Sequence, residues 1–569
     1  MKAYQLYTII FTVLLSGLSS CSKDFLDRTP GAALPEDAVF ADPTLASQYA
    51  INAYTYLVDD YVRFDDHRGT TSQASDEAVS GNLDRSVLYL NQGLFHDHSE
   101  RVAALNDIVG IWSREYNGIN ITNMMLSKMA VVPWKVEDPR PAITVPERIE
   151  AEMRFLRAFF YFELVKRFGG VPIVDRVYDV NESIDIPRSS YTDCVNFILA
   201  DLDKAQAKLP AVEALSLAEN GRATKGAALA LKARVLLYAA SALNNEGNDL
   251  SKWASAAAAA KEVMDLNSYS LQPTYKDILN VPTSTEYIMM KVRPTRTNTD
   301  GKIIDFAQSP GSAGQNGQMN PTQNHVDLYE MTNGKAITDP TSGYDPQKPY
   351  ANRDPRMTWN VIYNDETYQS RKIEMWSQVN ANGTVTYGRD FNPNNPIYTA
   401  TRYYCRKMWP EVYINKVAGA TYINFLFFRY AEVLLNYAEA QNEAVGPDAS
   451  VYTAINQIRK RGDVNMPDLP AGLSQSAMRD RIRNERAVEL AFEDHRWYDI
   501  MRWKKGPEIV AQPIYAMNVV KNANNTFTYS KVLMSQNFQK VFRDYMHRYP
   551  IPRSEVYKSQ GILLQNPGW

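Results

Sequence analysis

FLFFRYAEVLLNYAEAQNEA, residues 425–444, alternates long apolar side chains with alanines, a pattern typical of a helix that packs on another helix. We expect this helix to stop at the Gly446-Pro447 turn and a second helix to follow over residues 451–461. The small alanine side chains allow two such helices to approach closely. A helix pair is therefore the predicted unit of the fold.

The same texture recurs earlier in the chain. Residues 146–168 begin with proline and acidic residues, end with Lys166-Arg167 and precede Gly169-Gly170, which together predict a capped helix. Further helices are predicted over residues 191–209, 223–243 and 253–266. The recurrence resembles tetratricopeptide-type packing, although the repeats are degenerate. We expect a mostly α fold of about four tetratricopeptide-like helix pairs, interrupted by long loop-rich insertions.

Two zones lack a helical period. Residues 272–421 are rich in Gly, Pro, Asn and Asp, with short tyrosine-bearing stretches, and residues 62–99 are similar. Loops of this length inside a compact domain are usually functional, because irregular backbone is costly to order. We expect these zones to carry a ligand site, whereas helical repeats usually present a surface to another protein.

The first 21 residues decide where the protein is expected to lie. Lys2 precedes an apolar run over residues 6–18, which is too short to span a ~30 Å hydrocarbon core. The sequence LSSC at residues 18–21 resembles the lipobox of bacterial lipoproteins, in which the cysteine thiol receives the lipid. We expect residues 1–20 to be removed as a signal peptide and Cys21 to anchor the mature chain. An ordinary secretory signal with a chance cysteine is the alternative.

Composition excludes other classes. The formal net charge is -3, so the chain has no basic field that would collect nucleic acid. No later stretch approaches 18 consecutive apolar residues. Tyrosine is the commonest aromatic and offers an apolar face with a polar tip, which suits sugar platforms as well as cores. Cys194 and Cys405 are expected to be buried apolar side chains, with a disulfide between them as the alternative.

Three groups of motifs together resemble one family. The first group is NPTQ at 320–323, VDLYEM at 326–331, GYDP at 343–346 and NRDPR at 352–356. The second is FRYAEVLLNYAEA at 428–440. The third is R-x-E-R-x-x-E-L-x-x-E-x-x-R-W-x-D-x-x-R-W at 483–503, with YPIP at 549–552 and QNPGW at 565–569. In this order they resemble the SusD/RagB family of outer-membrane nutrient-uptake lipoproteins over essentially the whole mature chain.

The resemblance implies a capture protein without catalytic activity. Such a protein has a SusD-like fold, sits as a lid on a SusC-like TonB-dependent outer-membrane barrel and hands it oligosaccharides or polysaccharide fragments. Capture of oligopeptides by the same lid is the alternative, and a purely structural surface protein is a third option. The helical repeats would face the barrel. The short charged stretch at residues 22–24 resembles the export tag of lipoproteins on the outer face of the outer membrane.

The same resemblance divides the chain. We expect a signal peptide over residues 1–20, an N-terminal helical-repeat region over residues 21–271 and a C-terminal RagB/SusD region over residues 272–569 with the ligand-binding insertions.

Catalytic and metal-binding alternatives are weaker. Glu489 and Glu493 could serve glycoside hydrolysis, so an anchored glycosidase is a remote alternative. On one helical face, however, these acids alternate with arginines, which predicts a structural ion network that pins the C-terminal helix to the repeats. The histidines at 96–98 lack further ligands, and the acidic turns at 298–301 and 339–345 do not fit the EF-hand spacing. We expect no metal and no cofactor.

A sugar-binding site needs an aromatic platform with amide and carboxylate groups, because a sugar has an apolar C–H face and a rim of hydroxyls. Two loop regions qualify, and the family places its ligand contacts in comparable regions. The first contains Asp76, Glu77, Tyr89, Asn91, Phe95 and His96. The second contains Gln315, Asn316, Gln318, Arg353, Trp359, Tyr363, Tyr368, Trp376 and Tyr387. Core packing is the alternative for any single aromatic residue.

Overall fold

A computed structural model describes residues 34–57, 70–81, 91–93, 108–134, 143–179, 181–182, 186–279, 281–292, 317, 319–368, 370–407 and 425–569. The expected signal peptide, Cys21 and the charged stretch at 22–24 lie outside the described residues, as do the histidines at 96–98 and the turn at 298–301.

Helices dominate the described chain. They are α1 (Glu36–Phe40), α2 (Pro43–Asn52), α3 (Thr71–Ala74), α4 (Ile108–Lys128), α5 (Val145–Phe168), α6 (Tyr191–Gln206), α7 (Lys225–Ala240), α8 (Leu250–Asp265), α9 (Gln323–Val326), α10 (Arg356–Asn360), α11 (Tyr430–Val445), α12 (Ala449–Arg459), α13 (Gln475–Glu489), α14 (Arg496–Arg502), α15 (Gly506–Ile509) and α16 (Arg553–Lys558).

Local capping explains why the long helices begin and end where they do. Before α5, the Thr144 hydroxyl accepts from the Glu147 backbone N–H, and the Glu147 carboxylate accepts from the Thr144 N–H at 2.8 Å. Lys166 and Arg167 occupy its last turn, and Gly169 follows with a positive φ of 75°. The expected helix over 146–168 is thereby confirmed almost to the residue.

Successive long helices pack side by side in the order α4, α5, α6, α7, α8, α11 and α12, with α13 also against α11. Alanines make the closest of these contacts possible, because a methyl side chain lets two helix backbones approach. The buried alanines of the α7–α8 pair are Ala227, Ala228, Ala230, Ala233, Ala240, Ala256, Ala257, Ala259 and Ala260. The expected mostly α fold of paired helices is confirmed.

The strands are short. They are β1 (Ala78–Ser80), β2 (Tyr287–Lys291), β3 (Met319–Pro321), β4 (Val361–Ile362), β5 (Thr367–Tyr368), β6 (Arg371–Lys372), β7 (Ser377–Val379), β8 (Val385–Tyr387), β9 (Tyr404–Cys405), β10 (Phe425–Arg429), β11 (Tyr515–Lys521) and β12 (Phe527–Leu533). The largest described sheet has the order β12-β11-β7-β8, and the others are pairs: β1-β3, β10-β2, β4-β9 and β5-β6.

The segment at residues 425–444 does not begin as the helix that its sequence predicts. Residues 425–429 form β10, antiparallel to β2, and the helix begins only at Tyr430. All five strand side chains are buried, and the Tyr430 N–H donates to the Glu286 carbonyl at 2.9 Å, just before β2. Pairing with a strand about 140 residues away in sequence decides this local conformation, as tertiary context often does for aromatic-rich stretches.

The third motif is also not one continuous helix. Helix α13 ends at Glu489, and a turn over residues 490–495 separates it from α14. Phe492 and Asp494 have positive φ values of 62° and 67°, and such values end a right-handed helix. The predicted single stripe of acids and arginines is therefore wrong in its geometry.

Most buried apolar side chains of the described chain belong to one core, beside two small separate clusters. One hydrophobic cluster extends from Phe40 to Leu563 and includes side chains of every long helix. Cys194 on α6 and Cys405 on β9 are both buried in it, and no disulfide joins these two described cysteines. No helix among the described residues has the length and apolar composition needed to cross a membrane.

Candidate functional site

The structure joins the two loop zones that the sequence singled out. Strand β1 pairs antiparallel with β3, so that Val79 lies opposite Asn320 and Ser80 lies opposite Met319. The Thr322 N–H continues the contact by donating to the Glu77 carbonyl at 3.0 Å. Residues near 78 and near 320 are therefore neighbours, as expected if both regions serve one site.

A third segment, residues 391–400, completes this corner. The Gly317 N–H donates to the Ile397 carbonyl at 3.0 Å, and the Ala400 N–H donates to the Asn320 side-chain oxygen at 2.9 Å. Gly81 packs tightly against this corner, since a Cβ at position 81 would lie 2.9 Å from Asn320 Oδ1 and 3.2 Å from the Gly317 carbonyl oxygen. Close packing thus requires glycine at position 81.

These segments surround an open pocket of about 490 Å³. This volume is within the usual range for small-ligand sites. The lining residues are Gly81, Phe391, Asn392, Pro393, Asn394, Asn395, Pro396, Tyr398, Thr399, Ala400 and Phe538. Among these described lining residues there is no charged side chain, so the groups offered to a ligand are aromatic rings, amides, hydroxyls and backbone.

The amide-rich wall is held by its own turns. The side-chain oxygen of Asn392 accepts from the Asn394 N–H at 3.0 Å, and that of Asn395 accepts from the Ile397 N–H at 3.1 Å. The described contacts of both side chains use the amide oxygen. Their NH₂ groups are therefore available to donate hydrogen bonds to a ligand.

Phe391 is supported from behind. The guanidinium carbon of Arg402 lies 3.4 Å from its ring centroid, and Tyr387 meets the ring edge to face at 5.7 Å. Burial lowers the pKa of Arg402 to about 10, which leaves it charged at neutral pH. These two contacts fix the position of the Phe391 ring in the pocket wall.

Three predicted contact residues are buried instead and bond within the protein. Asp76 pairs with the Arg496 guanidinium at 2.8 Å, and Asn91 donates to the Gln73 carbonyl at 3.2 Å. Arg353 donates to the Val326, Tyr329 and Pro349 carbonyls. These side chains position loops. The expectation that they face a ligand is not met by their geometry.

The predicted aromatic residues separate into two groups. Trp359 is half-buried beside Arg406, Tyr363 stacks on Tyr350 at 4.2 Å, and Tyr368 is buried. Tyr387 is 38% exposed and touches Phe391, so it lies next to the pocket.

Trp376 is half-buried, with the Lys521 ammonium 4.5 Å from its ring centroid. Tyr89, Phe95, His96, Gln315, Asn316 and Gln318 lie outside the described residues.

The residues that line the pocket are not among those predicted from the sequence. Phe391, Tyr398 and Phe538 supply the aromatic groups, and Asn392, Asn394 and Asn395 supply the amides. The run NPNNP at residues 392–396 carries the signal that could have found them, because it concentrates turn formers and amides inside the loop-rich zone.

Two buried carboxyl groups, those of Asp76 and Glu77, lie in the segment just before β1. Burial raises the pKa of Glu77 to about 7, and its carboxylate accepts from the Phe492 N–H at 3.2 Å. Burial also acts to raise the pKa of Asp76, but the Arg496 charge outweighs it, and that pKa lies below its usual value. This segment therefore holds one carboxyl that titrates near neutrality, Glu77, and one that stays ionised, Asp76.

The acids of the third motif form a buried ion network. Arg429 contacts Glu286, Glu489 and Glu493 at 2.7 to 2.8 Å. Burial alone would raise the pKa values of Glu489 and Glu493, but the surrounding cations outweigh it and lower both.

Arg356 extends this network to Glu485 at 2.5 Å. Glutamates that are paired with cations on several sides favour the expected role of this motif as a structural ion network. Among the described residues, no cluster of three or more His, Cys, Asp or Glu side chains is suited to a metal ion.

Paired helices that carry a loop-built pocket of aromatic and amide groups define a helical-repeat binding protein. The chain belongs to the SusD family: residues 284–569 match the family model described as SusD family. Residues 24–237 match a second model, described as starch-binding associating with outer membrane.

Relatives with known descriptions extend over nearly the whole chain. It is 26% identical to SusD-like protein P2 of Formosa agariphila, with 99% of each chain covered. It is 24% identical to a SusD-like protein of Bacteroides ovatus, over 88% of this chain and 82% of that one.

Solved structures agree on the fold. A SusD-like protein from Bacteroides fragilis superimposes with a TM-score of 0.75 at 27% identity, over 94% of this chain and 99% of that one. A SusD-like carbohydrate-binding protein from the same species gives 0.73 at 23% identity, over 92% and 99%. A structure described as a laminarin-binding SusD-like protein gives 0.59 at 23% identity, over 93% and 100%.

Proposed function

We propose that this protein captures oligosaccharides in the pocket bounded by Gly81, residues 391–400 and Phe538. The observation that carries the proposal is the combination of aromatic and amide groups in one open pocket. Aromatic rings match the apolar C–H face of a sugar, and amide NH₂ groups donate to its hydroxyl oxygens. Tyr387, beside Phe391, extends the aromatic surface at the pocket's edge.

The descriptions of related proteins support a carbohydrate ligand. One family model is described as starch-binding, and two structural neighbours are described as carbohydrate-binding and laminarin-binding. The paired glutamates of the third motif favour capture over hydrolysis, because each carboxylate is neutralised by arginine or lysine. Capture of oligopeptides is the second candidate, since amide groups also bind peptide backbone.

We also propose that the protein delivers captured glycan to an outer-membrane barrel. The lipobox at residues 18–21 supports attachment to the outer membrane through Cys21, with the protein facing outside. The helices of the region over residues 21–271 would offer a surface for a SusC-like TonB-dependent barrel, and the region over residues 272–569 contributes every described lining residue of the pocket except Gly81. Captured glycan would then pass from the pocket to the barrel.

Calorimetry with maltoheptaose and laminarihexaose tests the ligand class, followed by a screen of other glycans and of mixed oligopeptides. We expect binding of at least one oligosaccharide, weakened about tenfold or more by Phe538→Ala, since a tenfold change equals about 1.4 kcal/mol of lost aromatic contact. Tyr557→Ala is the matched control, because Tyr557 is 63% exposed on α16 and does not line the pocket. Binding of peptides without any glycan would replace the proposal with the second candidate.

Co-purification from outer membranes tests the partner. We expect a large outer-membrane barrel to accompany the full-length, lipid-anchored chain. Recovery of the chain alone under mild detergent would contradict delivery to a barrel, even if glycan binding were established.

A further inference from the structure

Lys540 is a buried lysine whose ammonium is bound entirely by backbone. It is 5% exposed, and its Nζ donates to the Gln73 and Ala78 carbonyls, each at 2.8 Å, and to the Ser75 carbonyl. Three N–H donors thus meet three carbonyl acceptors. We call these three carbonyls and the ammonium the Lys540 cradle.

The cradle joins the two chain segments that carry Phe538 and Gly81, which both line the pocket. Phe538, two residues before Lys540, lines one side, and Gly81, three residues after Ala78, lines another. A neighbouring backbone bond reinforces the contact, since the Val541 N–H donates to the Asn91 carbonyl at 2.6 Å. The distance between the two walls therefore depends on the bonds made by the segment at 538–541.

We infer that Lys540 is a positioning residue for ligand capture: its ammonium holds the wall that ends at Gly81 against the wall that carries Phe538. The inference rests on the proposed function for its ligand and on the observed cradle for its geometry. Lys540 does not line the pocket, so its effect on affinity is indirect.

Other charges near the cradle are already engaged. Asp76 pairs with Arg496, and the Glu77 carboxylate accepts from the Phe492 N–H. His325, close to Asp76, is buried, and burial lowers its pKa to about 3, which keeps it neutral. The described hydrogen bonds of the Lys540 ammonium are therefore all to carbonyls, so that removing its charge acts directly on the cradle.

Protonation decides how many bonds the cradle has. Burial lowers the pKa of Lys540 to about 7, although the charges of Asp76 and Glu77 oppose the shift. Below that pH the ammonium has three donors. Above it the amine has only two, so one buried carbonyl loses its donor. If the bound pocket needs all three bonds, affinity falls as pH rises through 7.

The test compares four variants of the full mature domain. Lys540→Met removes the hydrogen-bond donors but keeps a side chain of similar length, and Lys540→Arg keeps a charge that does not titrate. Glu77→Gln removes a neighbouring group that titrates in the same pH range. Lys531→Met is the control. Lys531 on β12 has a side chain that is 45% exposed, and it pairs with Asp327 at 2.7 Å. Each is titrated with maltoheptaose and laminarihexaose between pH 6 and pH 9.

We expect Lys540→Met to lower affinity on the order of tenfold at pH 6, the usual effect of leaving a buried acceptor without its donor. Wild type and Lys531→Met should lose affinity on the order of tenfold between pH 6 and pH 9. Glu77→Gln should shift this loss to lower pH, because the Glu77 charge raises the pKa of Lys540. Lys540→Arg and Lys540→Met should give flat profiles. Equal affinities of wild type and Lys540→Met at pH 6 would overturn the inference, and so would a pH profile of Lys540→Met that falls as steeply as that of wild type.

A measurement without ligand separates this inference from the proposed function. Amide hydrogen exchange over residues 73–81, compared at one pH, should be about tenfold faster in Lys540→Met than in Lys531→Met. Unchanged exchange would show that the cradle does not hold this wall. If wild type binds no glycan, the proposed function fails, and the exchange result alone decides whether Lys540 fixes the wall.

Discussion

Arg502 on α14 binds the carboxylate of Glu439 on α11 through two nitrogen–oxygen contacts of 2.5 and 2.7 Å. The Trp503 indole N–H donates to the same carboxylate at 2.7 Å, and Asp499 lies 2.8 Å from the other side of Arg502. All four side chains are buried. This contact binds α14, the helix after the 490–495 turn, to α11 of the packed long helices.

Removal of Arg502 should therefore destabilise the whole fold. Arg502→Met leaves two buried carboxylates with one cation fewer, for which we expect a loss of about 3–5 kcal/mol in the free energy of unfolding. Urea denaturation followed by circular dichroism measures it. Lys558→Met, which breaks an exposed pair with Glu555, should leave the midpoint nearly unchanged. Equal midpoints for the two variants would contradict a structural role for Arg502.

Acid should weaken the same contact. Burial acts to raise the pKa of Glu439, but the charges of Arg502 and Arg486 outweigh it and lower the pKa to about 2 from an ordinary 4.5. A carboxyl with a lowered folded pKa stabilises the fold above about pH 4.5, and this contribution is lost as pH falls towards 2. Urea midpoints between pH 7 and pH 2.5 should converge for wild type and Glu439→Gln. A constant gap down to pH 2.5 would argue against this assignment.

Gly81→Ala should damage the pocket more than the fold. The added Cβ would lie 2.9 Å from Asn320 Oδ1 and 3.2 Å from the Gly317 carbonyl oxygen, so the wall must move. We expect a stability loss of about 1–3 kcal/mol together with loss of oligosaccharide affinity. Gly247→Ala is the matched control, since nothing lies within 4 Å of its Cβ position. Calorimetry and urea denaturation on both variants separate the two effects.

Two predicted aromatic residues should behave differently. Tyr387→Ala removes an exposed edge contact to Phe391, for which we expect a loss of affinity of about three- to tenfold. Trp359→Phe should leave affinity unchanged, because Trp359 does not line the pocket. Calorimetry with the same oligosaccharide measures the affinity of both variants. A larger loss of affinity in Trp359→Phe than in Tyr387→Ala would place the binding site away from residues 391–400.

Cys21→Ala should separate attachment from binding. We expect the purified variant to bind oligosaccharide as the wild type does, whereas cell fractionation should find it released from the outer membrane. Uptake of the glycan by cells should fall accordingly. Loss of ligand binding by the isolated variant would mean that Cys21 does more than tether the chain.

The sequence predicted most of the helices because their signals are local. Helix α5 carries its own cap at Thr144 and its own stop at Gly169, so its bounds follow from neighbouring residues. Strand β10 was missed because only its pairing with β2 makes residues 425–429 extended. The break at 490–495 was missed for a similar reason, since the Phe492 N–H bonds to Glu77 over 400 residues earlier.

The pocket was predicted only in part. The regions near 76 and near 320 do meet, but Asp76 and Arg353 turned out to hold loops together. The amide-rich run at residues 392–396 predicts a loop, but it does not by itself indicate a pocket wall. Which loop residues face inward depends on tertiary bonds such as that between Asn320 and Ala400, and no local pattern encodes these.

The bond from Lys540 to Gln73 joins residues 467 positions apart in the chain. Such a contact can form only after almost the entire polypeptide has been synthesised, and closing so large a loop is slow compared with forming a helix. The helices can therefore assemble early, while the binding pocket is completed at the end of folding. A chain that lacks its last thirty or so residues would be largely helical and yet unable to hold its ligand.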